Sequence, residues 1–381
     1  MRFVVLGGYG IIGREVVRDL FSFTEKDEVI IAGRDSKKIA KYASSFNSAR
    51  VIGKTIDVKN KKELISFLKK ADICINCLQY NLNLEIMKAC LEAKINYVDL
   101  GGMFHETLRQ LKLNKDFQDI GKTAILGLGA SPGMSNILAA YGSRFLKEIK
   151  ELEIVFADKD FTTYKQKFVL PYSFKTLVDE YTMKPAVFRD GKLRFVEPRS
   201  EPKKYNFGDE FGVQTGYLTL HSELATLPEF FEKRGLKKCE FRATFPEDFS
   251  ETIKILIENG FTSHEELLFS GKKLEILNIT TRLMDEFIPK IGTKIADKEI
   301  IRVMFNKNRV IIDMITHSNK KSSGGTLNTG IPCSIGAQMI LNGNVRSHGV
   351  FAPEYIINPE LMFKELRKRG IAILKNGITI N

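Results

Sequence analysis

Met1-Arg-Phe-Val-Val-Leu-Gly7-Gly8-Tyr9-Gly10-Ile11-Ile12-Gly13 runs from a short apolar strand through G-x-G-x-x-G into the helical pattern Arg14-Glu-Val-Val-Arg-Asp-Leu20. The spacing predicts a dinucleotide-binding start. Gly8 allows the tight turn, Gly10 lets the backbone approach a pyrophosphate, and Gly13 lets the helix pack closely on its strand. N–H groups at the helix start and the positive end of its dipole face the phosphates, so Tyr9, Ile11 and Ile12 join the glycines as cofactor-contacting positions. A second strand, Glu28-Val-Ile-Ile-Ala32, follows, and this context is what gives the motif its specificity.

The end of that second strand selects the cofactor. A carboxylate there accepts hydrogen bonds from the adenosine ribose and favours NAD. Here Gly33 stands twenty residues past Gly13, where the acid is expected, and Arg34 follows. A guanidinium suits a 2′-phosphate, so NADP is the expected cofactor. Asp35 keeps NAD open, because a shift of one residue in the turn brings its carboxylate to the ribose. Its other role is the N-cap of a helix beginning at Ser36.

A chain of 381 residues exceeds one ordinary core, so two domains are expected. With 43% hydrophobic and 27% charged residues it has the composition of a soluble globular protein. No apolar run has the length of a membrane span, and the first residues form a strand rather than a signal peptide, which predicts a cytoplasmic protein with no membrane partner. Five cysteines without regular spacing argue against a disulfide scaffold. Cys74-Ile-Asn-Cys77 has the C-x-x-C form but lies in a strand, where residues three apart point to opposite faces; it reads as neither redox pair nor metal site. The net charge of +12 comes from lysines and arginines spread along exposed helical positions, with no aromatic interleaving, so no nucleic-acid partner is expected. The positive field would help collect an anionic cofactor or a dicarboxylate substrate.

Strand and helix signals alternate through the first third, as βαβ units do, which predicts an α/β fold: an N-terminal Rossmann domain with a doubly wound parallel sheet. Ligands of such sheets lie beyond the carboxyl ends of the strands. Asp57 with Val58, Asn76, Cys77, Leu78, Gln79, Tyr80, Asp99 and Gly127 fall there. From about Glu151 longer alternating strands appear, ending in a hairpin around Asn306-Lys-Asn-Arg309, which reads as a second α+β domain on an antiparallel sheet. The expected division is residues 1–130 for the nucleotide domain, completed by 329–381, with 131–328 for substrate binding and dimerisation.

Ala71-Asp-Ile-Cys-Ile-Asn-Cys-Leu78, Tyr97-Val-Asp-Leu-Gly-Gly102, Gly127-Leu-Gly-Ala-Ser-Pro-Gly-Met-Ser-Asn136, Thr329-Gly-Ile-Pro-Cys-Ser334 and Gly349-Val-Phe-Ala-Pro-Glu354 resemble the saccharopine dehydrogenase family, especially its short lysine 6-dehydrogenase-like branch. The resemblance covers nearly the whole chain in order. It implies a nicotinamide enzyme that makes or breaks a C–N bond of an amino acid by hydride transfer, and Gln79-Tyr80 resembles the lysine dehydrogenase pattern. Gly33-Arg34 departs from that branch, which commonly carries an acid at this position and uses NAD.

Amine oxidation needs a held hydride acceptor, a base for the ammonium proton and an activator for water. Asp99 is the first candidate for the base or for holding the substrate ammonium; its other reading is as the cap of the Gly101-Gly102 turn. Tyr80 offers a phenol to the substrate, or packs over the nicotinamide. Gly129, Gly133 and Asn136 belong to a second glycine-rich strand-to-helix turn, fit either for the nicotinamide carboxamide and a substrate carboxylate or for a domain hinge. His221 and Glu223 sit in a polar strand-to-helix junction, where a histidine suits proton transfer, although Glu223 also suits helix capping. Arg242 is a candidate carboxylate clamp. The other histidines lack ligand spacing, and hydride transfer requires no metal. A small amino-acid substrate and a homodimer complete the expectation. The alternatives are a carboxynorspermidine or polyamine dehydrogenase on the same scaffold, and a non-catalytic NADP sensor.

Overall fold

The computed structural model describes residues 1–381, the side chain of Phe269 excepted. Six strands follow one another in the first third: β1 (Arg2–Leu6), β2 (Glu28–Gly33), β3 (Val51–Thr55), β4 (Ile73–Asn76), β5 (Asn96–Asp99) and β6 (Thr123–Ile125). They pair in parallel in the order β3-β2-β1-β4-β5-β6, and Gly349–Phe351 adds a seventh parallel strand beside β6. Parallel strands with helices on both faces bury both sets of side chains. Accordingly Phe3 and Val5 enter one core, and Val4 and Leu6 the other. Cys74 lies in the second core while Cys77 packs against the first, as strand alternation requires.

The second sheet has ten strands and is mixed. The sequence reading anticipates an antiparallel sheet, but β7 (Glu151–Asp160) pairs in parallel with Lys238–Thr244. The reason is topological: the segment between them carries helix Phe174–Thr182 and several edge strands before the chain re-enters beside β7, the kind of crossover a parallel pair needs. The hairpin Asp297–Phe305/Val310–His317 completes the centre of the sheet. Its turn residues Asn306, Lys307 and Asn308 all take positive φ.

The C-terminal part divides between the two sheets. Helix Gly324–Leu341 is almost wholly buried, and a Cβ at Gly336 would overlap Leu128, so the helix lies against the turn after β6. It begins ten residues before the pattern Ser334–Leu341 suggests, because Gly324, Gly325, Gly330 and Pro332 read as a loop; Ser323 caps it by accepting a hydrogen bond from the Thr326 N–H (3.2 Å). The closing strand, expected beside the nucleotide domain, is Ala372–Lys375, and it pairs with Val310–His317 in the second sheet. Among the described residues no helix is long and apolar enough to cross a membrane.

Candidate active site

Helix α1 (Ile11–Phe23) starts after Gly10 with no side-chain cap and no acid in its first turn. Its first ladder bond runs from the Arg14 N–H to the Gly10 carbonyl (2.9 Å), so the preceding N–H groups are available to an anion. A Cβ at Gly13 would overlap the Gly7 carbonyl, which explains the glycine there. At the β2 end, a Cβ at Gly33 would overlap the Tyr9 ring. Tyr9 therefore occupies the space a ribose-binding acid would need.

Asp35 caps helix Ser36–Ser44, its Oδ1 accepting from the Lys38 N–H (2.9 Å). Arg34 is exposed and forms no ion pair among the described residues. Asp57 is exposed and accepts from the Lys59 N–H (3.0 Å), while Val58 packs against the second core. Asn76 is buried: its amide donates to Asn83 Oδ1 (2.8 Å) and its carbonyl accepts from the Leu78 N–H (3.1 Å). That bond sets the Cys77-Leu78 backbone, whose atoms lie against Gly7.

Asp99 is fully buried, and both of its oxygens are filled. Oδ1 accepts from the N–H groups of Gly101 (2.9 Å) and Gly127 (2.6 Å). Oδ2 accepts from the Tyr97 hydroxyl (2.9 Å) and the Gln110 amide (2.7 Å). Burial pushes the carboxyl up and these donors pull it down. In place of the expected base, the geometry gives a post that ties two turns together. The Gly127–Gly133 turn is similarly self-contained, with Gly129 N–H on the Pro132 carbonyl (3.0 Å) and Gly133 N–H on Asn136 Oδ1 (3.1 Å). Asn136 donates onward to Glu354 (2.9 Å) rather than toward an open site.

Arg242, the expected clamp, is buried beside Glu240 (3.1 Å) and Glu153 (3.4 Å). Strand alternation turns it away from the face of Phe241 and Ala243, which belong to the core shared with the first domain. His221 lies on that inner face. Its ring stacks on Phe241 with centroids 4.0 Å apart, and Nδ1 lies 2.6 Å from Glu223. Glu223 is completely buried and accepts from the Ser135 hydroxyl (2.6 Å). Burial works against a charged imidazole, but the fields of Glu223 and Glu180 outweigh it and hold His221 above its ordinary value. With Nδ1 engaged by Glu223, Nε2 is the nitrogen left for proton exchange.

Tyr80 bridges the two domains: its hydroxyl donates to Asp179 (2.5 Å) on helix Phe174–Thr182, and the neighbouring Gln79 amide donates to Ser173 (3.2 Å). Burial and Asp179 raise the phenol well above its ordinary value. Next along the helix, Glu180 is buried and accepts from the Tyr172 hydroxyl (2.5 Å). Burial lifts Glu180 to about 7, against the opposing field of His221. Asp179, Glu180 and Tyr172 escaped the sequence reading because Val-Asp-Glu-Tyr181 has the composition of an exposed helix turn; only its packing against Ile253 and Leu277 of two later helices shows otherwise.

The chain thus has a bare helix start over a glycine turn in its first domain, and a group of interacting ionisable side chains, His221, Glu223, Glu180 and Asp179, in its second, tied to the first through Tyr80. Two family profiles match it: the saccharopine dehydrogenase NADP-binding domain over residues 3–125 and the saccharopine dehydrogenase C-terminal domain over residues 129–371. The chain belongs to the saccharopine dehydrogenase family. Members of this family are NAD(P)-binding oxidoreductases, and the chain has their fold. Apo saccharopine dehydrogenase (L-Glu forming) from Saccharomyces cerevisiae superposes with a TM-score of 0.75 over 100% of both chains, at 14% identity. Similar proteins also include carboxyaminopropylagmatine dehydrogenase of Synechocystis sp., 24% identical over 97% of this chain and 96% of that protein. Carboxynorspermidine synthase of Vibrio cholerae is 25% identical over 96% of this chain and 90% of its own length.

Proposed function

We propose that this saccharopine dehydrogenase family member is an NADP-dependent oxidoreductase acting on the C–N bond of a carboxylated polyamine. The observation that carries the reading is the coupling of His221–Glu223, Glu180–Tyr172 and Tyr80–Asp179 in one group of side chains, joined through Tyr80 to the strand ends of a dinucleotide-binding sheet. The full-length likeness to carboxyaminopropylagmatine dehydrogenase and carboxynorspermidine synthase supports the polyamine class over the lysine type.

The residues present fit the dinucleotide: the start of α1 offers N–H groups for a diphosphate, and Arg34 offers a guanidinium for a 2′-phosphate. When bound, the nicotinamide accepts or supplies the hydride. His221 takes up the nitrogen proton as a C–N bond is oxidised to an imine and returns it in reduction, while Glu223 fixes its tautomer and charge. Tyr80 and Glu180 hold the substrate nitrogen or the water that opens the imine. The exposed Leu267 and Leu274, opposed in the hairpin Glu266–Phe269/Lys272–Glu275 and so on one face, support a second copy of the chain as partner, which light scattering reads directly.

Absorbance at 340 nm with NADP and NAD in parallel, against carboxynorspermidine, saccharopine and L-lysine, tests the reading. Turnover of carboxynorspermidine with NADP supports it; turnover confined to lysine or saccharopine overturns the substrate class. Arg34→Ala raises KM for NADP by about tenfold or more and leaves NAD nearly unaffected. Equal effects on both cofactors would remove Arg34 from the phosphate.

A further inference from the structure

The inner face of the second sheet ends in a row of side chains that hydride transfer does not use. By strand register Asp158 stands opposite Glu299, and Glu299 opposite Thr316; one step further, Asp160 stands opposite Asp297. Opposed residues in antiparallel strands share a face. This face is the one whose Ile154, Ile301, Val303, Ile312 and Met314 enter the core shared with the first domain, so the row continues that core beside the start of helix Gly324–Leu341, whose Gly324 and Gly325 lie against Glu299 and Thr316.

The two outer acids are spent locally. Asp160 accepts from the Thr162 N–H (2.8 Å) and the Tyr164 hydroxyl (2.6 Å), and Asp297 from the Gly324 N–H (2.9 Å). The inner three are not. Glu299 is buried and receives one bond, from the Asn328 amide to Oε2 (2.6 Å). Among the described residues nothing donates to the Asp158 carboxylate, and no lysine or arginine pairs with any of the four acids. Thr316 is 1% exposed and its hydroxyl has no partner. The adjacent Lys159 and Lys298 alternate to the other face, where they lie over Phe161 (5.4 and 5.7 Å). Burial and the neighbouring acids lift Asp158 to about 7. Asp158 is half-buried with no side-chain donor, Glu299 is buried with one donor for its two oxygens, and Thr316 is buried with none.

The row is also continuous with the proton-transfer groups. The Tyr172 phenol lies in the fields of both Glu180 and Asp158. On the other side Asn328 precedes Thr329, whose methyl packs over Gly129. We propose that Asp158, Glu299 and Thr316 form a subsite for a cationic group, an alkylammonium or guanidinium, at the far end of the amine substrate; this rests on the amine-oxidoreductase reading above. Burial and the neighbouring acids lift Glu299 as they lift Asp158, and an ammonium, which brings three donors and a positive charge, favours the charged form of both. A distal carboxylate would meet repulsion instead.

Calorimetric titration of the full chain, saturated with NADPH, with 1,3-diaminopropane and with propylamine tests the subsite. The wild type is expected to bind the diamine at least tenfold more tightly, and Asp158→Asn and Glu299→Gln each to erase that preference while NADPH affinity stays unchanged and the variants remain folded. Equal affinity for the two amines in the wild type, or a preference that survives both substitutions, overturns the proposal. Should the variants not fold, the wild type decides alone: a larger rise in melting temperature with diaminopropane than with propylamine at equal ionic strength supports it, and an equal rise overturns it. Hydride transfer to an imine of propylamine with no diamine preference would sink the subsite but leave the C–N chemistry standing. Diamine preference with no turnover of any amine would do the reverse.

Discussion

Buried carboxylates occur in two regions of this molecule, and they have opposite surroundings. Asp99, at the end of β5, has four donors converging on its two oxygens. Around His221 and Glu223 the acids are sparsely held: Glu180 has one phenol, and Glu354, which accepts from Asn136, has one oxygen with no partner. All three are buried and burial raises all three, so burial does not distinguish an acid that holds a turn from one that is ready to exchange a proton. The number of donors does. A fully coordinated carboxylate is held by its partners, whereas a buried and poorly coordinated one responds to what arrives.

The contrast breaks most visibly at Asp99. Asp99→Ala leaves two backbone N–H groups, a phenol and an amide without their acceptor, and is expected to cost roughly 4 kcal/mol in urea unfolding. Asp99→Asn keeps an acceptor for the two backbone groups and should fold with most of its activity. An asparagine variant that folds normally and has lost turnover would move Asp99 into the reactive set and end the distinction.

On the other side, His221→Asn and Glu180→Gln are each expected to lower kcat by about a hundredfold or more with melting temperatures close to wild type. His221 must be neutral to accept a proton, so oxidative kcat/KM rises with pH through its raised pKa and the reductive rate falls over the same range. Glu223→Gln removes the main raising influence and shifts that midpoint to lower pH. A pH profile that does not move would detach His221 from proton transfer.

The smallest effect sharpens the rule. Burial raises Glu354 to about 7, so between the ordinary glutamate value and that point the folded state holds a proton that the unfolded chain releases. Stability from this group is therefore lost as pH rises toward neutrality. Glu354→Gln keeps the acceptor for Asn136 and should stabilise the protein by about 1–2 kcal/mol at pH 8, with the gain vanishing near pH 5. A gain independent of pH would mean that charge is not its source.

Legibility in the sequence follows the same physical divide. The glycine turn, the parallel sheet and the cap at Asp35 were readable because each depends on residues a few positions apart, through backbone sterics and strand alternation. That Tyr80 and His221 follow strand ends was readable for the same reason, but not what they meet there. Asp99 was open to two readings, since nothing local says that Gln110 and the Gly127 N–H converge on it. Arg242 looked like a clamp because its face of the strand is decided by register with β7, and Glu180 drew no reading because His221 and Arg199, which surround it, are distant in the chain.

By itself the sequence determined a dinucleotide-binding domain and its family, since local spacing controls which backbone groups a glycine turn exposes. The tertiary structure alone decided which acids are filled and which are waiting. Asp158 and Glu299 are 141 residues apart along the chain and opposite each other in the sheet, and a donor count exists only after such segments have been brought together.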